Sequence, residues 1–253
     1  MGAKMIIQII GQAGSGKTTL AEALADQVNG IHINADKVRA GLNSDLGFEL
    51  KDRIEHARRL GELAKLLNEQ IVIVDFICPT SETREAFGKP DILIWVNRIK
   101  EGRFEDTNKM WQDPLVYDLE IKSGLSVDEE VQLIINQFNL PDWKAPTTLM
   151  LGRYQPWHEG HHALYEKGME RTDQVMLGVR NTYGTSEKDP LSFQEVKTYI
   201  EADSFMSKAI IVKMPNITNI IYGRDVGYKI EQVDLGADIH AISATQKRKE
   251  MGL

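Results

Sequence analysis

A single cysteine, Cys78, stands in 253 residues, so neither an intrachain disulfide nor a CxxC zinc site can form, and a reducing cytoplasm is the expected compartment. No apolar run approaches the roughly 20 residues of a membrane helix. The run Met5 to Ile10 near the start is far too short and is followed by no signal-peptide cleavage pattern. Basic residues are in deficit, 30 against 37 acidic ones, and the net charge of −7 argues against broad capture of nucleic acid or of an anionic membrane. Repeats of fixed period and low-complexity tracts are also missing.

With 42% hydrophobic and 26% charged residues, the chain can bury a core. At about 150 residues per domain its length allows one large α/β domain or two compact ones. Lys4 to Ile10, Ile31 to Ile33, Ile71 to Asp75 and Asp91 to Val96 read as buried strands. Lys17 to Val28, Asp52 to Asn68 and Val127 to Phe138 carry helical periodicity. Such alternation implies a parallel sheet covered by helices on both faces. Asn139 to Thr147 holds two prolines and little periodicity, which suits a linker. A second βα series follows, with strands at Leu149 to Leu151, Gln174 to Val179 and Ile210 to Lys213, and helices at Glu159 to Glu170 and Ser192 to Ala202. The expected organisation is α/β in two domains, residues 1–140 and 147–253.

Between the first strand and first helix lies GQAGSGKT, Gly11 to Thr18, which satisfies GxxxxGK[ST] in the context that makes this motif credible. Backbone N–H groups around Gly11, Gly14, Ser15 and Gly16 can point at phosphate oxygens, and the helix N-terminus adds its dipole. Lys17 neutralises β/γ charge, the Thr18 hydroxyl can ligate Mg²⁺, and Thr19 lies beside it. ATP and Mg²⁺ are the expected cofactors. Asp75 closes a β-branched strand, as a metal-side aspartate would, and joins Thr18 as a candidate metal group.

After the second strand, Ile33 to Phe48 reads INADKVRAGLNSDLGF, and DRIEHARR follows from Asp52. This stretch resembles the adenylylsulfate kinases, whose corresponding segments read DGDNxRxGLNxDLGF and DRxENxRR. The resemblance spans much of residues 6 to 80. It implies a P-loop kinase fold, Asp36 as the acid beside an acceptor 3′-hydroxyl, Arg39 and Arg53 on a phosphosulfate, and Phe48 against adenine, with Asn43 and Ile77 on the acceptor side. Three positions depart from the family pattern: Asn34 replaces its first acid, His56 its asparagine, and Cys78 the serine of Phe-Ile-Ser-Pro. In place of a lysine-rich lid the chain has only Glu101 to Lys109. Arg84 and Arg103 are lid candidates, with solvated surface roles as the simpler reading. Cys78 has no histidine near it in sequence and reads as an inert thiol.

The second half opens with GRYQPWHEGH, Gly152 to His161. It resembles the GRFQPxHxGH signature of nicotinamide-mononucleotide adenylyltransferases within the HxGH nucleotidylyltransferase superfamily. Gly160 between the histidines lets the chain turn into a helix, placing His158, His161 and the helix N-terminus around one polyphosphate. Near the end, ISATQKR from Ile242 to Arg248 resembles that family's ISxTxxR. Its Ser243 and Thr245 offer hydroxyls and an N-cap, and Arg248 a guanidinium for β/γ oxygens. The resemblance implies a Rossmann-like domain whose nucleotide site also takes in Gly152, Arg153, Arg224 and Asp225, the last two at the end of a strand. Lys247 departs from an aliphatic family position, and His162 reads as a bystander. The opening is less like the GTFDxxHxGH of cytidylyltransferases.

The two halves together imply a cytoplasmic bifunctional transferase that acts on small-molecule nucleotides. It would phosphorylate a 3′-hydroxyl and transfer a nucleotidyl group to a phosphorylated acceptor such as nicotinamide mononucleotide. Two alternatives stay open. The kinase could act on nicotinamide riboside for NAD salvage, or one domain could be inactive in a nucleotide-binding regulator. The short second domain leaves room for a homo-oligomer in which another subunit supplies acceptor contacts.

Overall fold

The computed structural model describes residues 4–67, 71–203, 209–221, 223, 224, 227, 229–240, 242 and 244–252. The chain divides between Trp143 and Lys144 into two compact units. The first runs β1 (Met5–Gly11), α1 (Lys17–Val28), β2 (Ile31–Asn34), α2 (Ala35–Ala40), α3 (Leu50–Leu66), β3 (Ile71–Phe76), α4 (Ser81–Phe87), β4 (Ile92–Val96), α5 (Glu105–Met110), β5 (Leu119–Ile121) and α6 (Val127–Phe138). Its strands form one sheet in the order β2-β3-β1-β4-β5, every neighbouring pair parallel.

Strand β1 occupies the middle because it is apolar on both faces. Ile7 and Ile9 pack with Leu20 and Leu24 of α1 and Ile134 of α6. The other face of the sheet, through Val72 and Val74 of β3, packs on Leu60 and Ala64 of α3 and Phe87 of α4. Each fully buried isoleucine contributes about 1.5–3 kcal/mol. From β1 the chain returns to β2 on one side, whereas from β4 it goes on to β5 on the other. A crevice therefore opens at the carboxyl ends of β1 and β4, where Gly11 lies in register with Val96.

Helix α6 begins on a capping box between Ser126 and Glu129 and stops at Asn139, whose φ of 52° is left-handed. The segment after it is not a free linker along its whole length: Leu140 is buried and Trp143 N–H donates to the Gln27 carbonyl at 2.8 Å. Helices α2, α4 and α5, of six, seven and six residues, complete fewer than two turns, too few for a helical period to show in the sequence.

Helices α3 and α4 meet where Gly61 faces the backbone of Phe87, and a Cβ at Gly61 would collide with that carbonyl. Alanine gains up to about 1 kcal/mol in helix propensity. Forcing a methyl against backbone costs about 1–3 kcal/mol. Gly61→Ala is therefore expected to lower the midpoint of thermal unfolding. A midpoint that rises would show that α4 slides away at no cost.

The second unit runs β6 (Thr148–Gly152), α7 (Glu159–Thr172), β7 (Val175–Arg180), α8 (Phe193–Glu201), β8 (Ala209–Met214), α9 (Ala237–His240) and α10 (Ala244–Met251). Its three strands are parallel in the order β6-β7-β8. Val175, Leu177 and Val179 of β7 pack with Tyr165 of α7 and with Val196 and Ile200 of α8. The strand expected before Arg224 is absent from the described residues 215–221. Ile217 N–H turns back to the Pro215 carbonyl at 2.8 Å, and Ile220 and Ile221 are exposed, so this apolar run adds nothing to the sheet. Thr245 is not an N-cap, because α10 has already begun at Ala244. Tyr222, Asp225 and Ser243 lie outside the described residues. No helix among the described residues is long and apolar enough to cross a membrane.

Candidate active site

The GxxxxGKT loop leaves β1 and enters α1 through Gly16, which holds φ 89° as the residue before the helix, a conformation that costs a side chain energy. Lys17 is buried and its ammonium donates to the Gln12 carbonyl at 2.8 Å, so it lies along the loop that would cradle a polyphosphate. Burial pushes its pKa down to about 8, against the opposing pull of Asp75 and Asp36. The Ser15 hydroxyl is buried without a hydrogen-bond partner among the described residues, as a donor awaiting an anion would be. Gly11, Gly14 and Thr19 take the loop and helix positions that the motif assigns them.

At the end of β3, Asp75 is almost fully buried and collects three donors. The Thr18 hydroxyl donates to it at 2.7 Å, His32 Nε2 at 2.6 Å and Asn34 Nδ2 at 3.1 Å. Burial works against its charge, but the hydrogen bonds from His32, Thr18 and Asn34 outweigh it and hold the carboxyl below its usual value. A hydroxyl and an ionised carboxylate this close suit a hard divalent cation that keeps several waters, so the donor set fits Mg²⁺. Asn34 also explains one departure from the family pattern. Its side-chain oxygen caps α2 by accepting from Lys37 N–H at 2.9 Å, while its amide serves Asp75.

The acceptor-side residues surround Phe48, which is 65% exposed. The Arg39 guanidinium lies 5.0 Å and that of Arg53 5.7 Å from the ring centre, so two cations flank an exposed aromatic face. Arg39 donates to the Gly47 carbonyl at 2.5 Å, and Arg53 donates through Nε to the Phe48 carbonyl at 2.7 Å. Burial and the neighbouring Arg53 both lower the pKa of Arg39. Asp36 is exposed in the first turn of α2, within electrostatic reach of Lys17. Ile77 is half-buried just beyond β3. Asn43 has a different place from the expected one: it is buried and donates to His56 Nδ1 at 2.7 Å, anchoring its turn. Burial, with Arg39 nearby, takes His56 down to about 4, so this pair is neutral.

Cys78 is buried, and burial raises its thiol to about 12 despite contacts with Thr83 and Gln8, so it is no nucleophile. Neither candidate lid arginine is merely solvated. Arg84 donates to the Cys78 and Gln112 carbonyls at 3.1 and 2.9 Å, and Arg103 lies against Gly14. Sequence reasoning missed His32 and Arg98. Arg98 donates to the Ser15 carbonyl at 2.9 Å and pairs with the buried Glu130. Its signal was its position just past the carboxyl end of β4, where ligands bind in parallel sheets.

In the second unit His158 caps α7, its Nδ1 accepting from Gly160 N–H at 3.1 Å, and its ring stacks on His161 with centroids 3.8 Å apart. Tyr154 meets His161 edge-on at 5.0 Å. Burial, with His158 beside it, pushes His161 down to about 3. Arg248 reaches back from α10 to donate to the Gln155 carbonyl at 2.8 Å, so the two motifs meet. Its other nitrogen donates to Thr245 Oγ1 at 3.1 Å, and Lys247 binds Glu159 at 3.0 Å. Gly152 and Arg153 line an open cleft of about 480 Å³ with Arg180, Met214 and Asn219 at the carboxyl ends of the three strands. Arg153 is also paired with Asp189 at 3.0 Å. Arg224 is exposed outside that lining. His162 is held by Asp203 at 2.8 Å, which raises its pKa.

The family model described as adenylylsulphate kinase matches residues 3–90. The adenylyl-sulfate kinase of Bacillus pumilus is 34% identical over 163 residues, covering 52% of this chain and 83% of its own. That of Bacillus licheniformis is 49% identical over 86 residues, covering 31% of this chain and 44% of its own, so the match spans less than half of that relative. Among solved structures, the Mycobacterium tuberculosis APS kinase aligns with a TM-score of 0.48 at 23% identity, over 55% of this chain and 99% of its own. With the phosphate loop, Asp75 and the Phe48 platform on one P-loop-type sheet, and with that extent of identity to the Bacillus pumilus enzyme, the chain belongs to the adenylylsulfate kinase family.

Proposed function

We propose that the first unit transfers the γ-phosphoryl group of ATP to the 3′-hydroxyl of adenylylsulfate. The observation that carries this reading is the convergence of Lys17 and the Thr18–Asp75 pair with Asp36, and of Arg39 and Arg53 on the exposed Phe48 ring. The loop and Lys17 hold the β- and γ-phosphates of ATP. Thr18 and Asp75 would hold Mg²⁺, which neutralises phosphate charge when bound. Phe48 stacks on the acceptor's adenine, and the guanidinium groups flanking it bind the phosphosulfate. Asp36 accepts the proton of the 3′-hydroxyl as its oxygen bonds to the γ-phosphorus. The bond from that phosphorus to the bridging oxygen breaks, and its electron pair leaves on ADP.

Incubation with ATP labelled in the γ-phosphate tests this directly. Label is expected in a 3′-phosphorylated adenylylsulfate. Label that enters nicotinamide riboside and never adenylylsulfate would replace this reading with the salvage kinase.

For the second unit we infer nucleotidylyl transfer from an NTP to a phosphorylated acceptor such as nicotinamide mononucleotide. The stacked His158 and His161, met by Arg248 on the preceding loop, support it. The acceptor phosphate oxygen bonds to the α-phosphorus, and pyrophosphate leaves with the electron pair of the broken bond. No covalent enzyme intermediate is needed.

A further inference from the structure

We propose that His32 is a positioning residue of the phosphoryl-transfer site: with Asn34 beside it on β2, it holds Oδ1 of Asp75 so that Oδ2 is left to Thr18 and a divalent cation. The proposal rests on the reading of Thr18 and Asp75 as the metal side of the first unit, and adds to it a residue that belongs to no motif of the sequence.

Strand pairing brings the donors to the carboxylate. Asp75 lies near the end of β3, the strand between β2 and β1. Side chains alternate along β2, so Ile31 and Ile33 pack with Val72 and Val74 against α3, and His32 and Asn34 take the opposite face. Asn34 is the register partner of Asp75, and His32 stands two residues before it. His32 Nε2 donates to Oδ1 at 2.6 Å, and Asn34 Nδ2 donates to the same oxygen at 3.1 Å. From the first turn of α1, the Thr18 hydroxyl donates to Oδ2 at 2.7 Å.

The lone pairs show what this arrangement does. An ionised carboxylate offers about four acceptor positions, two on each oxygen. His32 and Asn34 fill those of Oδ1, and Thr18 takes one on Oδ2. The position left is on the oxygen beside the Thr18 hydroxyl, which spends its hydrogen on Asp75 and keeps its own lone pairs. The carboxyl plane cannot turn without breaking two bonds to β2. Of those two, the histidine's is the shorter. The His32 and Asp75 side chains are only 12% and 3% exposed, so water offers little replacement for it. Asn34 is also divided among other tasks: its amide nitrogen lies 3.4 Å from Thr18 Oγ1, and its oxygen accepts from the Lys37 N–H at the start of α2.

For this role His32 needs only an N–H on Nε2, so it acts without gaining or losing a proton. No bond forms or breaks at its ring, and its effect passes through Asp75. Removing an outer donor of this kind typically lowers metal affinity by about 10–100-fold.

Three variants of the full chain separate positioning from packing. His32→Gln can place an amide N–H where Nε2 stands, His32→Asn carries the same group on a side chain too short to reach, and His32→Phe keeps a ring without a donor. Binding of Mn²⁺, used in place of Mg²⁺, to the protein–ADP complex is read from the electron paramagnetic resonance signal of free Mn²⁺. ADP binding is measured separately in EDTA. His32→Asn and His32→Phe are expected to bind Mn²⁺ more weakly than wild type by about tenfold or more, with ADP affinity in EDTA within about twofold. His32→Gln is expected to recover most of that loss. The Mg²⁺ concentration for half-maximal phosphoryl transfer should rise by the same factors, and saturating Mg²⁺ should bring kcat back. Unchanged Mn²⁺ affinity in His32→Asn and His32→Phe overturns the proposal, as does an equal loss in all three variants, which would mark a structural role. A wild type that binds Mn²⁺ with ADP yet never phosphorylates adenylylsulfate removes the acceptor reading alone, and the Mn²⁺ affinities still decide the role of His32. A wild type that binds no Mn²⁺ in the presence of ADP overturns the proposal and the metal reading together.

Discussion

Replacing Lys17 with methionine is expected to lower kcat for phosphoryl transfer by about 10³-fold or more, because its buried ammonium lies along the loop where the β/γ end of a polyphosphate would sit. Methionine keeps the apolar stem and removes a desolvated ammonium, so the fold should survive; the lost bond to the Gln12 carbonyl costs about 1–3 kcal/mol at most. A pH profile of the unaltered protein supplies a second and independent readout. Burial holds Lys17 at about 8, so the free protein carries the ammonium below that pH and a neutral amine above it. kcat/KM for MgATP is accordingly expected to fall as pH rises through about 8, since it reports the free enzyme. Bound phosphates favour the ammonium and raise its pKa, so the plateau in kcat should extend further into base. A kcat/KM that stays level until the ordinary lysine range near 10.4 would show that the buried ammonium is not the group ATP meets.

The loop was legible in the sequence because its parts are neighbours: strand, glycines, lysine and helix follow one another from Met5 to Val28. The Asp75 cluster was half legible. Asp75 and Thr18 could be named as a pair, but they are brought together by parallel β1 and β3, and His32 and Asn34 join them only because β2 pairs beside β3 with Asn34 in register with Asp75. His32 belongs to no motif, and alternation along a four-residue strand cannot say which side chain will find a carboxylate. The Arg98 to Met110 segment was only partly legible: Glu101 to Lys109 could be placed where a lid belongs and Arg103 named in it, but the close backbone approach of Gly102 to Ala13 has no periodicity to announce it. The opposite error occurred at residues 217–221. A short apolar run announces a strand only when a sheet edge is there to receive it, and the described chain there turns back on Pro215.

Replacing His161 with alanine is expected to lower nucleotidylyl transfer by about 10²–10³-fold while phosphoryl transfer by the first unit proceeds at its usual rate. His161 stacks on His158 at 3.8 Å and meets Tyr154 edge-on, so alanine also removes packing; His161→Asn, which retains an N–H donor, separates the two effects and should recover part of the rate. The protonation state gives a further check. Burial and His158 keep His161 down at about 3, and burial also lowers His158, so both rings are neutral near pH 7 and stabilise phosphate charge as hydrogen-bond donors. For the free protein, kcat/KM should therefore show no acid limb near 6.5, the ordinary histidine value. A limb there that disappears in His161→Asn would mean that the imidazolium does the work. Lys17→Met and His161→Ala assayed side by side also decide between two working units and a regulator with one silent unit. Two activities that fall independently exclude the regulator, whereas a unit silent in the unaltered protein with every NTP and phosphorylated acceptor overturns the transferase reading for that half.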